Sequence, residues 1–268
     1  MLSNHFSPKS SITATVQQLP AGIKIKKMFD FKNNLKITYP EDLFIAEQLI
    51  KLKYYRKKQL NHVNYDKIGK ILILGGSGGV GRELIRELDI RNINYRAPSH
   101  HELDLEKLSL DSIMDYLGDF NPDSIINLAA SSISDSDGIL ENFDKVFKVN
   151  LQANLVIIEF AKRLNKRINL VFLSSSSSTK GRENITLYSA SKAALNSVVE
   201  SLSEFMSRQN ILINCIIPEK INTPLIKKLH KKDISDTELL DIAEIIDAIL
   251  NYTYCDHYGE LIHIRKGL

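Results

Sequence analysis

Tyr188-Ser-Ala-Ser-Lys192 opens a helical pattern that runs to Arg208. Residues four apart lie on one helix face, so the phenol and the ammonium sit one above the other. A nearby cation favours the phenolate and lowers the tyrosine pKa. A tyrosine that exchanges a proton near neutral pH can serve as a general acid or base. A second segment is Lys70-Ile-Leu-Ile-Leu-Gly-Gly-Ser-Gly-Gly-Val-Gly81-Arg82. A Gly/Ser turn alone carries little. Here an apolar run of strand type precedes it and a helical pattern, Val80 to Leu88, follows, which is the context a dinucleotide loop requires. Such glycines let the backbone approach a pyrophosphate, and the helix start behind them offers free N–H groups.

These groups need a scaffold. Strands are expected near 70–74, 93–97, 124–128, 168–174, 211–216 and 261–265. Helices are expected near 80–91, 109–118, 140–164, 187–208 and 237–250. Alternation of this kind means an α/β fold with a parallel sheet covered on both faces. The expected class is a Rossmann-like, doubly wound sheet carrying a short N-terminal helical extension. The division is an extension over 1–64 and one larger domain over 65–268. Ligands of such sheets bind beyond the carboxyl ends of the strands.

The spacing Gly75, Gly79, Gly81, taken with Tyr188 and Lys192, resembles the short-chain dehydrogenase/reductase family. The resemblance runs from about Lys70 to the C-terminus, and further pieces fall in the family's order. Asp104 follows the second strand region. Asn127-Leu-Ala-Ala130 closes an apolar strand. Asn150 lies in a long helical stretch. Ser175 follows Leu170-Val-Phe-Leu173 and precedes Tyr188 by thirteen residues. Ile217-Pro-Glu-Lys-Ile-Asn-Thr-Pro224 follows the strand at 211–216.

The resemblance implies a hydride transfer to a carbonyl carbon. Ser175 would hydrogen-bond the carbonyl oxygen, with Ser176 as the alternative, and Tyr188 would protonate it. Donors aimed at developing charge are a large catalytic contribution. Lys192 would hold the nicotinamide ribose and depress the Tyr188 pKa, and Asn150 would hold a water that links Lys192 to solvent. The implied cofactor contacts are Gly75, Ser77, Gly79, Val80, Gly81, Arg82, Ser99, His100, Asp104, Leu105, Asn127, Ala129, Ala130, Tyr188, Lys192, Pro218, Ile221 and Thr223. An acid at the end of the second strand would select NAD. Here the first acid, Glu102, comes after the contact position. Arg96, Ser99, His100 and Arg82 are available for a 2′-phosphate, so NADP(H) is favoured over NAD(H). His100-His101 lacks a third ligand at metal spacing, and no metal is expected.

The chain has 268 residues and 43% hydrophobic content, ordinary for one large α/β domain plus a short addition. No apolar run approaches the ~20 residues needed to cross a bilayer, and the N-terminus lacks a secretory pattern. Two cysteines, Cys215 and Cys255, sit in core-like surroundings, which fits a reducing cytoplasm. The net charge of +3 is uneven: residues 1–70 hold 13 basic and 5 acidic residues, the remainder 22 and 27. Aromatic residues do not alternate with the bases, so no nucleic-acid partner is expected.

The extension has its own pattern. Pro40, Glu41 and Asp42 suit a helix start, and Leu43, Ala46, Leu49 and Ile50 recur at helical spacing. Asn33 to Glu47 resembles the C-terminal tail of the cytidylyltransferases that make CDP-alcohols, whose tail lysine corresponds to Lys36. Their nucleotide loop has no counterpart in this chain, so cytidylyl transfer by it alone is not expected. A cytidylyltransferase followed by a short-chain reductase resembles the bifunctional enzymes that make CDP-ribitol for capsule or teichoic-acid-type polymers. That resemblance implies a small phosphorylated ketose as substrate, a homo-oligomer, and a possible separate cytidylyltransferase partner. Lys180 and Arg182 follow the serine run, and Lys220, Lys227 and Lys228 follow Pro218; cations of this kind clamp phosphate. Glu219 is a further expected substrate contact, carried by the ribitol-type relatives in place of the family's usual Gly. Leu74 and Leu128 also depart from the family's usual residues.

Overall fold

The computed structural model describes residues 38–46, 62–221 and 239–265. The chain divides into two compact units, Met1–Leu52 and Lys53–Leu268. In the first, residues 40–46 are helical. The Asp42 carboxylate caps this start by accepting from the Thr38 and Tyr39 amides at 2.7 and 2.9 Å.

In the second unit six strands form one parallel sheet. They are β1 (Ile71–Leu74), β2 (Tyr95–Arg96), β3 (Ser124–Asn127), β4 (Ile168–Leu173), β5 (Ile211–Pro218) and β6 (Leu261–Ile264). Their order across the sheet is β2-β1-β3-β4-β5-β6. All four residues of β1 are buried because both faces are covered, which is why the strand reads as an unbroken apolar run. Side chains alternate between the faces. Leu72, Leu74, Ile125, Leu170, Phe172 and Ile213 pack in one layer with α2 (Leu110–Leu117), α4 (Ala153–Arg163) and α5 (Thr186–Ser207). Ile71, Ile73, Ile126, Val171 and Ile216 pack in the other with α1 (Gly79–Ile90) and α6 (Ile242–Asn251). Each such side chain, fully buried, contributes about 1.5–3 kcal/mol.

Local sequence sets the ends of these elements. Ser109 and Ser112 form a reciprocal capping box on α2. Asn92, Asn165 and Asn210 turn the chain after α1, α4 and α5 with φ of 55, 46 and 62°. Asp241 caps α6 by accepting from the Ala243 amide, so that helix begins later than the sequence pattern suggests. The expected helix over 140–164 is in fact three pieces: α3 (Ile139–Phe147), a π-helical turn Lys148–Gln152, and α4. β2 is shorter than expected, two residues, ending just before Ala97-Pro98. No described helix is long and apolar enough to cross a membrane.

Candidate active site

The glycine loop follows β1 at its carboxyl end. Gly75 takes φ +83°, and a Cβ there would lie 2.5 Å from the Ala129 amide nitrogen, so a side chain would both strain the turn and strike the β3 loop. At Gly81 a Cβ would lie 2.4 Å from the Gly75 carbonyl oxygen. The loop and the first turn of α1 therefore pack backbone against backbone. No side chain caps α1, and its first turn carries no acidic residue. Its leading N–H groups are left for an anion. Exposed Arg82 donates to the Ser77 carbonyl at 2.8 Å and stands at the rim.

A cavity of about 520 Å³ runs from this loop to α5. Its walls include Gly75, Ser77, Gly79, Val80, Gly81 and Arg82 on one side and Ser175, Tyr188 and Lys192 on the other. Ala129, Ala130, Pro218, Glu219 and Ile221 complete it, together with Gly78, Leu128, Leu173 and Ser174, none of these last four being an expected contact. A second cavity of about 290 Å³ shares Gly75, Ser77, Ala129 and Ala130 with the first and adds His100, Asp104 and Leu105. The two form one elongated cleft over the carboxyl ends of the strands. Its length, its side-chain-free glycine floor and its uncapped helix start fit a dinucleotide.

Two expected cofactor contacts line neither lobe. Asn127 is buried behind the loop, where its amide donates to Asn154 Oδ1 at 2.9 Å and its oxygen accepts from the Ala129 amide at 3.1 Å. Ser99 is bound to the Glu102 carboxylate through its amide and hydroxyl at 2.8 and 2.7 Å. Thr223, with Lys36, Lys227 and Lys228, lies outside the described residues. Arg96 corrects the sequence reading. Its guanidinium donates to the Tyr116 and Leu117 carbonyls at 3.0 and 2.6 Å, closing the C-terminus of α2, and lies 4.8 Å from the Phe120 ring centroid. It is committed to the fold and not available to a phosphate.

At the other end, Lys192 is fully buried and donates to the Leu173 carbonyl at 2.6 Å. Its Nζ lies 5.8 Å from the Tyr188 ring centroid. Burial pulls its pKa down to about 8, against the opposing attraction of Cys215. Burial likewise pushes the Cys215 thiol up to about 12. The expectation for Tyr188 is overturned. Burial raises its pKa above the ordinary value, and the hydrogen bond with Ser175 is the opposing influence. Desolvation of the phenol is the larger influence, and the Lys192 ammonium spends its hydrogen bond on Leu173. The site therefore holds a protonated phenol, suited to giving a proton.

The Lys192 shift has a testable consequence for stability. In the unfolded chain this amine titrates near 10.5, in the fold near 8. Below pH 8 it is protonated in both states and the burial penalty is complete. Between about pH 8 and 10.5 the unfolded chain binds more protons, so this group's contribution to stability rises with pH. Lys192→Met is expected to be more stable than the wild-type chain at pH 7 by about 1–3 kcal/mol, the unpaired Leu173 carbonyl offsetting part of the gain. Denaturant unfolding at pH 7 and pH 10 checks this. A gap that fails to narrow at the higher pH would contradict the burial argument.

The serine run folds as Ser174, Ser175 and a 3-10 turn Ser176–Ser178. Ser175 caps the turn, its hydroxyl accepting from the Ser177 amide at 3.2 Å and the Ser177 hydroxyl at 3.0 Å. Ser176 instead accepts from Arg182 at 3.3 Å and lines no part of the main cavity. Arg182 opens onto a separate cavity of about 530 Å³ with Ser177, Ser178 and Thr186. Lys180 is exposed and lines none of these three cavities.

Asn150 is fully buried in the π-helical turn. Its side chain accepts from the Ser131 amide at 2.7 Å and donates to the Ser131 carbonyl and the Ser191 hydroxyl, both at 2.9 Å. Its carbonyl accepts from Asn154 at 2.8 Å. Asn154, Ser131 and Ser191 were not legible as members of this network, because their roles arise only where three separate segments meet.

Residues 116–242 match the family model described as Enoyl-(Acyl carrier protein) reductase. The chain is 24% identical over 253 residues to the bifunctional ribulose 5-phosphate reductase/CDP-ribitol pyrophosphorylase Bcs1 of Haemophilus influenzae. That match covers 87% of this chain and 52% of the relative, so the chain spans about half of the bifunctional protein's length. Among solved structures, a short chain dehydrogenase from Leptospira borgpetersenii with bound NAD+ superposes with a TM-score of 0.63 at 18% identity, covering 75% of this chain and 92% of that one. ElxO with NADP bound gives 0.63 at 20% identity, covering 74% and 97%.

Proposed function

We propose, from the premise that this chain is a short-chain dehydrogenase/reductase, that it reduces the carbonyl group of a small phosphorylated sugar with a nicotinamide cofactor. The observation that carries this reading is the meeting of Tyr188, Ser175 and Lys192 with the glycine floor in one cleft. The substrate class is of the ribulose 5-phosphate to ribitol 5-phosphate type, supplying cell-surface polysaccharide precursors in the cytoplasm. The bifunctional relative supports it by its name and by its match over 87% of the chain. NADP(H) is favoured over NAD(H), supported by Arg82 and His100 at the cleft.

A bound nicotinamide supplies the hydride. Tyr188, kept protonated by burial, delivers a proton to the carbonyl oxygen as negative charge develops there. Ser175 donates a hydrogen bond to the same oxygen. Lys192, braced on the Leu173 carbonyl, orients the cofactor end of the cleft beneath Tyr188. Asn150 fixes the helix carrying both groups through Ser191. Pro218 and Ile221 enclose the nicotinamide side, and Asp104 and Leu105 the adenine side. Glu219 lines the same cleft, its carboxylate 3.8 Å from the Arg265 guanidinium. Arg182 opens onto the neighbouring cavity but reaches Ser176, next to Ser175, and pairs with no carboxylate among the described residues; it is the proposed phosphate clamp, with Lys180 as an outer cation.

NADPH oxidation is expected with ribulose 5-phosphate and to be much weaker with unphosphorylated ribulose or with NADH. Arg182→Ala is expected to raise KM for the phosphorylated substrate about 10–100-fold, a charged hydrogen bond's worth, and to leave the unphosphorylated one unaffected. Equal KM values in both proteins would remove Arg182 from the site.

A second reading assigns residues 1–64 as a docking extension for a separate cytidylyltransferase and residues 65–268 as the reductase domain. Leu43, Phe44 and Ile45 favour it, being 59, 67 and 47% exposed on the 40–46 helix. Self-association of the reductase domain is supported by exposed Leu140 and Phe143 on α3 and Phe205 on α5.

A further inference from the structure

We infer that Asp135 is a positioning residue for Tyr188, acting as a remote cap on the helix that carries it; the inference rests on the proposed role of Tyr188. Asp135 belongs to the 3-10 turn Asp135–Asp137, between β3 and α3. Thr186 is the first residue of α5, and the residue before it, Ile185, has no side chain able to cap. Asp135 fills that place from 51 residues away. One carboxylate oxygen accepts from the Thr186 amide at 2.9 Å, and the other accepts from the Thr186 hydroxyl at 2.7 Å. The Asp135 amide also donates to the Asn184 carbonyl at 3.0 Å, so the segment before the helix is tied as well.

The effect on Tyr188 follows from a second tie. The same β3–α3 connection is gripped at Ser131 by Asn150, which donates to the Ser191 hydroxyl. That hydroxyl donates to the Tyr188 carbonyl at 2.8 Å. One segment is thus fastened to α5 on both sides of Tyr188, at Thr186 and at Ser191. The Ser191 tie fixes the backbone after the tyrosine. The Asp135 tie keeps the first turn from fraying, so that the phenol cannot swing out with it. Helix ends fray readily without a cap. A reacting group displaced by about 1 Å loses much of its rate, on the order of 10²-fold.

The test compares Asp135→Ala with Asp135→Asn in the full chain, using steady-state turnover, cofactor titration and amide hydrogen exchange. Asp135→Ala is expected to lower kcat about tenfold or more, with the Kd for NADPH unchanged within about twofold, and to speed exchange several-fold at residues 186–189 only. Asp135→Asn keeps an acceptor for the Thr186 amide, and the Thr186 hydroxyl can turn to accept from its NH2; it is expected to restore kcat to within about threefold. Wild-type kcat in the alanine variant would overturn the inference. So would an asparagine variant as impaired as alanine, or a loss of cofactor affinity matching the loss of kcat. If the wild-type chain reduces no carbonyl substrate, the catalytic reading fails, while exchange still decides the cap: localised acceleration supports it and unchanged exchange overturns it.

Discussion

Tyr188→Phe is expected to lower kcat about 10³-fold while the protein still binds its cofactor. The phenyl ring keeps the shape of a side chain that is 7% exposed, so packing is preserved and the hydroxyl alone is lost. Proton delivery by a positioned group is worth about 10²–10⁴-fold. Burial around this phenol raises its pKa, which favours the protonated form. A protonated phenol is the form that carbonyl reduction requires at its start. Single-turnover NADPH oxidation by the two proteins, with cofactor affinity titrated separately, provides the measurement. Equal rates would remove Tyr188 from the chemistry and leave the cleft as a nucleotide-binding site only.

Gly81→Ala is expected to weaken dinucleotide binding by about 10–100-fold and to lower the melting temperature. The new methyl group would lie 2.4 Å from the Gly75 carbonyl oxygen and 2.7 Å from both Cα and O of Gly76. Every atom it meets is backbone, so no rotamer change relieves the clash. The loop must lift away from α1, and overpacking of this kind costs about 1–3 kcal/mol. That movement also displaces the N–H groups at the helix start. Calorimetric titration with NADPH tests the affinity, and an unchanged Kd would show that the loop does not carry the nucleotide. This outcome is independent of the Tyr188 result, since one reads binding and the other reads the proton.

The parts of the site carried by local sequence were the legible ones. The glycine loop, Tyr188 and Lys192 are defined by spacing within one turn or one helix, and the sheet strands declare themselves as apolar runs because both faces are covered. What the sequence did not disclose depends on distant neighbours. Arg96 reads as a free cation near a ribose, yet the open carbonyls at the end of α2 and the Phe120 ring claim it from about twenty residues away. The Tyr188 shift has the opposite sign to that expected from a neighbouring lysine, because burial, which no spacing encodes, dominates. Where the expected long helix breaks, Asn150 and, just after it, Asn154 bond to other segments. Asp135 was invisible in an Asp-Ser-Asp loop for the same reason, its partner being 51 positions away.

The strand order has a bearing on how the chain acquires its form. β1 lies between β2 and β3, and β2 offers it only two paired residues. Its main partner, Ser124–Asn127, arrives some fifty residues later. The turn at Gly75 also rests against the backbone of Ala129. Non-local pairing of this kind makes for slow, cooperative folding. During synthesis the turn at Gly75 has no completed seat until Ala129 has been made, and a shorter nascent chain would leave β1 without its main partner strand.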